Sequence, residues 1–204
     1  MIYENKYSKK EILVFEGFIK LVDEGVSLSS IKVADIAKSA GIGKGTVYEY
    51  FKNKEEVIAK SILYKMHKEF ANMIMKIESV DGFKNKCDVG FEEILEIMTS
   101  RCAYFQMLMT SREIHDVFKC INHGKDEMIE FRDYVVEILE PIIELGIKEG
   151  IINYKLDKIY IRSVFVSVCS GISTISRFQF GQFTQNDLIR QKDIAYTVLI
   201  KALN

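Results

Sequence analysis

Proline is almost absent from this chain: Pro141 is the only one in 204 residues. Helices can therefore run long, and a break or bend is expected only at that position, unless a new helix starts there. Cysteines are few and scattered (Cys87, Cys102, Cys120 and Cys169) with no C-x-x-C pair. That spacing argues against a disulfide framework or a zinc site and for ordinary reduced core thiols. His115, Cys120 and His123 fall close together, but their spacing matches no defined metal geometry, so packing or surface roles are expected. No apolar run approaches the length that spans a bilayer, and Met1 to Lys10 is polar and charged, so neither a membrane segment nor a secretory leader is expected. We find no nucleophile with a neighbouring base, no glycine-rich phosphate loop after a strand, and no low-complexity segment or internal repeat. An enzyme is not expected, nor is a cofactor or a metal.

Neither sign of charge predominates. Formal net charge is −1, which argues against a general polyanion binder. Its distribution is nevertheless uneven. Lys32, Lys38, Lys44, Lys52 and Lys54 face only Asp35 and Glu49 over that stretch, a local surplus of three positive charges. A small basic face on a neutral body suits a selective DNA binder.

What the chain does hold is concentrated between Ile31 and Lys54. Val33, Ile36, Ala37 and Ala40 recur at helical spacing and give one apolar face to a helix of about two turns. Gly41 follows, as a residue that ends a helix in the left-handed conformation without steric cost. Gly43 stands where the next helix begins. In that second helix Val47 and Phe51, four apart, point inward, leaving Lys44, Thr46, Tyr48, Glu49 and Tyr50 on other faces. Phenol hydroxyls suit phosphate oxygens, and Lys54 adds charge at the start of the following helix. Two short helices around a glycine turn, the second able to enter a major groove, make a DNA-reading unit. For Tyr48 alone, packing against a neighbouring helix is a competing account.

The residues Ile36, Ala37, Ala40, Gly41, Ile42, Gly45, Thr46, Val47, Tyr48, Tyr50, Phe51 and Lys54 match, at fixed spacing, the signature I-A-x-x-A-G-V-S-x-G-T-L-Y-x-Y-F-x-x-K. The segment thus resembles the DNA-binding motif of the TetR family of bacterial repressors, over roughly the first quarter of the chain. Lys32 and Gly43 depart from it, each replacing a hydroxyl residue that would cap a helix; Ser30 is a candidate substitute cap, and Lys32 a candidate phosphate contact. Glu49 either reads a cytosine amino group or pairs with Lys44 or Lys52, and pairing is the expected role. The candidate DNA-binding residues are Lys32, Lys44, Gly45, Thr46, Tyr48, Glu49, Tyr50 and Lys54.

The remainder also reads helical. An apolar stripe of Ile12, Phe15, Ile19 and Val22 predicts a helix over 8–24 that stops at Gly25. A long pattern from Val57 to Ile77 leads to a turn near Asp81–Gly82, and further helices are predicted over about 91–109, 126–147, 156–178 and 186–203. Val164 to Ser173 is apolar or small on nearly every side, which predicts a helix buried all round. Its small residues (Ser167, Ser170, Gly171 and Ser173) allow another helix to approach closely, as a core helix or across a two-fold axis.

The resemblance implies an all-α chain: a three-helix DNA-binding domain over 1–54 and a helical ligand-binding and dimerisation domain over 55–204, joined by the helix after Lys54. It further implies a cytoplasmic homodimer formed through about 156–178 and 186–203, a repressor that holds a palindromic operator until a small molecule releases it. Met and Phe side chains suit an apolar or aromatic effector. Met98, Arg101, Cys102, Phe105, Gln106 and Met109 are the candidate pocket residues; for Arg101 a buried acid or solvent at a helix edge competes with a ligand anion. A ligand-independent or partner-binding helical dimer and a helical enzyme are the alternatives.

Overall fold

The computed structural model describes residues 6–99, 124–178 and 184–204. Among them are helices α1 (Lys9–Asp23), α2 (Val33–Ala40), α3 (Lys44–Tyr50), α4 (Lys54–Glu78), α5 (Phe83–Thr99), α6 (Gly124–Lys148), α7 (Lys158–Phe178) and α8 (Gln185–Leu203), and no strand. The described residues are thus all helical, as the apolar periodicity predicts. They fall into two compact units, one holding residues 6–72 and 124–125 and the other 73–99, 126–178 and 184–204, so that one division lies within α4.

In the first unit α1 opens on a reciprocal cap. Ser8 Oγ accepts the Glu11 N–H at 3.3 Å, and the Glu11 carboxylate accepts the Ser8 N–H at 2.8 Å. The buried face of α1 is wider than the predicted stripe, because Val14 and Phe18 join Phe15, Ile19 and Val22 in it, whereas Ile12 is half-buried. Ile36 and Ala37 of α2, Val47 of α3, Phe51, and Val57, Ile58 and Ile62 of α4 complete this core. At the α1–α2 crossing the backbones nearly touch. A Cβ on Gly17 would lie 2.8 Å from the Ala40 nitrogen and 2.9 Å from its Cβ, so only glycine fits there without displacing α2.

In the second unit α5 begins at Phe83, earlier than the predicted start near 91. The cause is a cap from far away in sequence: the Glu149 carboxylate accepts the Phe83 N–H at 3.1 and 3.2 Å. Phe83, Cys87, Phe91 and Leu95 then form a buried i, i+4 stripe, interleaved with lysines and acids. The helix α6 runs through Pro141 without ending there, and Pro141 is exposed. Near the end of α6, a Cβ on Gly146 would meet Phe83 and Ile152 at 2.7 Å.

In the single chain α7 is covered on one face only. Ile161, Phe165, Val168 and Ile172 are buried, but Ser163, Val166, Ser167 and Ser170 are exposed in the single chain. The helix has one core face and one uncovered face. Arg162 pairs with Glu140, with Nε 2.7 Å from the carboxylate. Cys87 is buried, and desolvation pushes its thiol up; the same cause holds the Cys169 thiol at about 12, so both are poor nucleophiles. Cys102, His115, Cys120 and His123 lie outside the described residues, among which no group of three metal-ligating side chains occurs. No described helix is long and apolar enough to cross a membrane.

Candidate nucleic-acid interface

The turn between α2 and α3 is built by Gly41. With φ +70° it donates to the Lys38 carbonyl at 3.2 Å, and Ile42 donates to the Ala37 carbonyl at 3.0 Å. These bonds satisfy carbonyls that the end of α2 would leave open. After Gly43, α3 is anchored by Val47, fully buried, and by Phe51, whose N–H donates to the Val47 carbonyl at 3.0 Å. Two inward anchors four residues apart fix which face of α3 turns to solvent.

That solvent face carries Lys44, Gly45, Tyr48 and Glu49, all exposed, while Thr46 and Tyr50 lie half-buried at its margins. Tyr48 is 48% exposed, and the Lys44 ammonium lies 5.8 Å from its ring centroid. A half-exposed phenol beside an ammonium is a pair of donors suited to phosphate oxygens. Gly45 has nothing within 4 Å of the place its Cβ would occupy.

Capping differs from what the sequence suggests. Ser30 does not cap α2; its hydroxyl donates to the Ser27 carbonyl at 2.8 Å and accepts from the Ser27 hydroxyl at 3.0 Å. Lys32 occupies the cap position, and the Asp35 carboxylate accepts its N–H at 3.0 Å, leaving the exposed ammonium of Lys32 unused by the cap. Glu49 forms no ion pair with Lys44 or Lys52, contrary to the expected pairing. The Lys52 N–H donates instead to Glu56 at 2.7 Å, and Lys44 leans over Tyr48.

Lys54 has a structural partner that the sequence did not announce. Its ammonium donates to the Leu28 carbonyl at 3.0 Å, tying the first residue of α4 to the loop before α2. Asn53 caps α4 by accepting the Glu56 N–H at 2.8 Å. Further along, Tyr64 and Lys68 both donate to Glu16 of α1, a junction invisible in the sequence because its members are 48 and 52 residues apart.

Of the candidate ligand residues, Met98 lies near the end of α5, with its side chain outside the described atoms. Arg101, Cys102, Phe105, Gln106 and Met109 lie outside the described residues.

Comparison with known proteins adds four findings. Residues 27–60 match the family model for bacterial regulatory proteins, tetR family. The fatty acid metabolism regulator protein of Bacillus subtilis (strain 168) is 27% identical over 126 residues, a match spanning 62% of either chain. Among solved structures, a TetR transcription regulator from Haloarcula marismortui ATCC 43049 superposes with a TM-score of 0.72 at 16% identity, covering 97% of this chain and 100% of that one. The transcriptional regulator FadR from Bacillus subtilis, solved in complex with stearoyl-CoA, gives 0.64 at 19% identity, covering 95% and 99%. At these identities the structural likeness establishes the fold.

Proposed function

We propose that this chain, whose segment 27–60 matches the model for bacterial regulatory proteins of the tetR family, is a DNA-binding transcriptional regulator acting as a repressor. The observation that carries this reading is the exposure of Lys32 just before α2 and of Lys44, Gly45, Tyr48 and Glu49 on α3. In our reading α3 enters a major groove, with Thr46 and Tyr48 nearest the bases and Lys32, Lys44 and Tyr50 holding phosphates. Glu49, with no lysine partner, is assigned to an exocyclic amino group such as that of cytosine. Lys54 has two N–H groups beyond the one given to Leu28, and these are available to a phosphate.

We assign 1–54 to DNA binding and 55–204 to ligand binding and dimerisation, with α4 as the link. The dimer is formed by α7 and α8. Support comes from their exposed apolar side chains: Ile159, Val166, Ile194 and Val198 are each at least 44% exposed in the single chain. Rows of that kind on adjacent helices are typical of an interface awaiting its mate. Two copies would present two α3 helices to half-sites of a palindrome, and the protein would work in the cytoplasm with its DNA.

The effector is a small molecule with a large apolar or aromatic part, and long-chain acyl-CoA, whose acyl chain supplies one, is the class to try first, since the Bacillus subtilis FadR structure holds stearoyl-CoA. Release requires the effector to bind the DNA-free arrangement more tightly than the DNA-bound one. The test is fluorescence anisotropy on a duplex selected from a randomised pool, with and without stearoyl-CoA, alongside sedimentation of the wild type and Val166→Glu. A dimer that prefers the selected duplex and loses it on adding the acyl-CoA fits the account, as does a monomeric Val166→Glu. A dimer that binds tightly but ignores acyl-CoA would require another effector class. Absence of sequence preference would leave a helical dimer whose motif is only scaffold.

A further inference from the structure

One polar junction in the DNA-binding unit lies away from the face turned to DNA. Glu16 of α1 receives two hydrogen bonds on a single oxygen, from the Tyr64 hydroxyl at 3.0 Å and from the Lys68 ammonium at 2.8 Å, both on α4. Beside it the aromatic rings form a continuous train. Tyr64 lies 5.2 Å from Phe15 and 6.1 Å from Tyr7, and Phe15 lies 5.7 Å from Phe51, the residue that closes α3. Contact therefore passes from α4 through α1 to the end of the recognition helix.

Directionality is the physical point. Apolar packing holds helices together but tolerates sliding and small rotations, whereas hydrogen bonds demand defined distances and angles. The first directional tie on α4 is Lys54 to the Leu28 carbonyl. The ties to Glu16 follow at Tyr64 and Lys68, ten and fourteen residues, or about 15 and 21 Å, farther along the helix. One tie leaves a pivot; two ties that far apart define an axis.

We infer that Glu16 is a positioning residue for DNA recognition: by pinning α4 at Tyr64 and Lys68 it fixes the direction of α4 against α1 and, through Phe15 and Phe51, the presentation of α3. The inference rests on the DNA-binding reading above. Glu16 touches no DNA in this scheme; it keeps the reading helix in the register that a specific site requires. It also fastens the linking helix α4 to the DNA-binding domain as far as Lys68, so that a movement of α4 is passed to that domain.

The experiment compares the full-length wild type with Glu16→Ala, Glu16→Gln, and the charge exchange Glu16→Lys with Lys68→Glu. Binding is read by anisotropy on a duplex selected from a randomised pool and on a scrambled duplex of equal length, and amide hydrogen exchange is followed in all proteins without DNA. Glu16→Ala should lose about tenfold on the selected duplex and less than twofold on the scramble. Peptides within 57–68 should exchange faster, while those within 83–95 keep their protection. Gln, which still accepts from Tyr64, should lose less, and the exchange variant should recover most of the loss. Equal losses on both duplexes, or wild-type affinity on the selected one, overturns the inference. Should Glu16→Ala fail to fold, Glu16→Gln and Tyr64→Phe decide by the same two readouts. A wild type with no preference between the duplexes refutes the DNA-binding reading instead, and exchange in 57–68 still reports separately whether Glu16 pins α4.

Discussion

Replacing Gly45 by alanine should separate folding from DNA binding. Gly45 is the second residue of α3, in ordinary helical backbone, exposed, with nothing of the chain within 4 Å of the place a Cβ would occupy. Alanine is the better helix former by up to about 1 kcal/mol in a helix interior, and near the first turn about half of that is a fair expectation. Taking about 0.5 kcal/mol, a chain of this size should melt about 1–2 °C higher. If α3 lies in a groove, however, the added methyl stands where DNA backbone or a base edge must approach, and a tenfold weaker complex corresponds to about 1.4 kcal/mol. The assay is thermal unfolding in parallel with anisotropy on selected and scrambled duplexes at fixed salt. Higher Tm with weaker DNA binding is the expected combination. A Gly45→Ala protein that is more stable and binds DNA as tightly as the wild type would refute the placement of this face against DNA.

Gly17→Ala should do the opposite to stability: its Cβ would lie 2.8–2.9 Å from Ala40 atoms, and overpacking of that kind costs about 1–3 kcal/mol, visible as a lower melting temperature. Lys54→Met should weaken binding to selected and scrambled DNA alike and flatten the dependence of log K on log salt by about 0.9, the value for one phosphate. An unchanged slope with a lower Tm would assign Lys54 to the Leu28 carbonyl alone. Acid should loosen the α1–α4 junction. Burial pushes Glu16 up, but the hydrogen bonds from Lys68 and Tyr64 and the nearby lysine charges outweigh it, so its carboxyl titrates below the ordinary 4.5. A depressed native value means that the unfolded chain takes up the proton first as pH falls. The stabilisation is therefore present above about 4.5 and lost as pH falls through the native value. Because the pair is about half exposed, the effect should be no more than about 1 kcal/mol. Unfolding followed between pH 6 and 3 should show a shallower fall for Glu16→Gln than for the wild type.

Legibility in the sequence followed the range of the interactions. The helix–turn–helix is written in local terms: a glycine able to take φ +70° at 41, apolar anchors at 36, 37, 47 and 51, and helix signals within a few residues of each. Those are interactions a one-dimensional reading can resolve. The start of α5 was hidden because its cap is Glu149, 66 residues away, and because lysines and acids dilute the stripe of Phe83, Cys87, Phe91 and Leu95. Likewise Ser30 looked like a cap by type and position, but the nearer Ser27 carbonyl took its hydroxyl. Spacing favours a lysine partner for Glu49 over a base contact, yet Lys44 lies over Tyr48 and the Lys52 N–H turns to Glu56. Composition suggested that α7 is buried all round, whereas a single chain covers only the face of Ile161, Phe165, Val168 and Ile172. Apolarity says that a surface must be covered, not which molecule covers it.

The central claim is that α2 and α3 read a specific DNA sequence as part of a two-fold dimer. Selection of duplexes from a randomised pool, followed by sequencing and by binding of the enriched site at two salt concentrations, tests it most directly. The account predicts an inverted repeat, bound in a salt-dependent manner by two copies of the chain and preferred by at least a thousandfold over scrambled DNA. A pool that remains random after repeated rounds, with weak binding equal on every duplex, would contradict it.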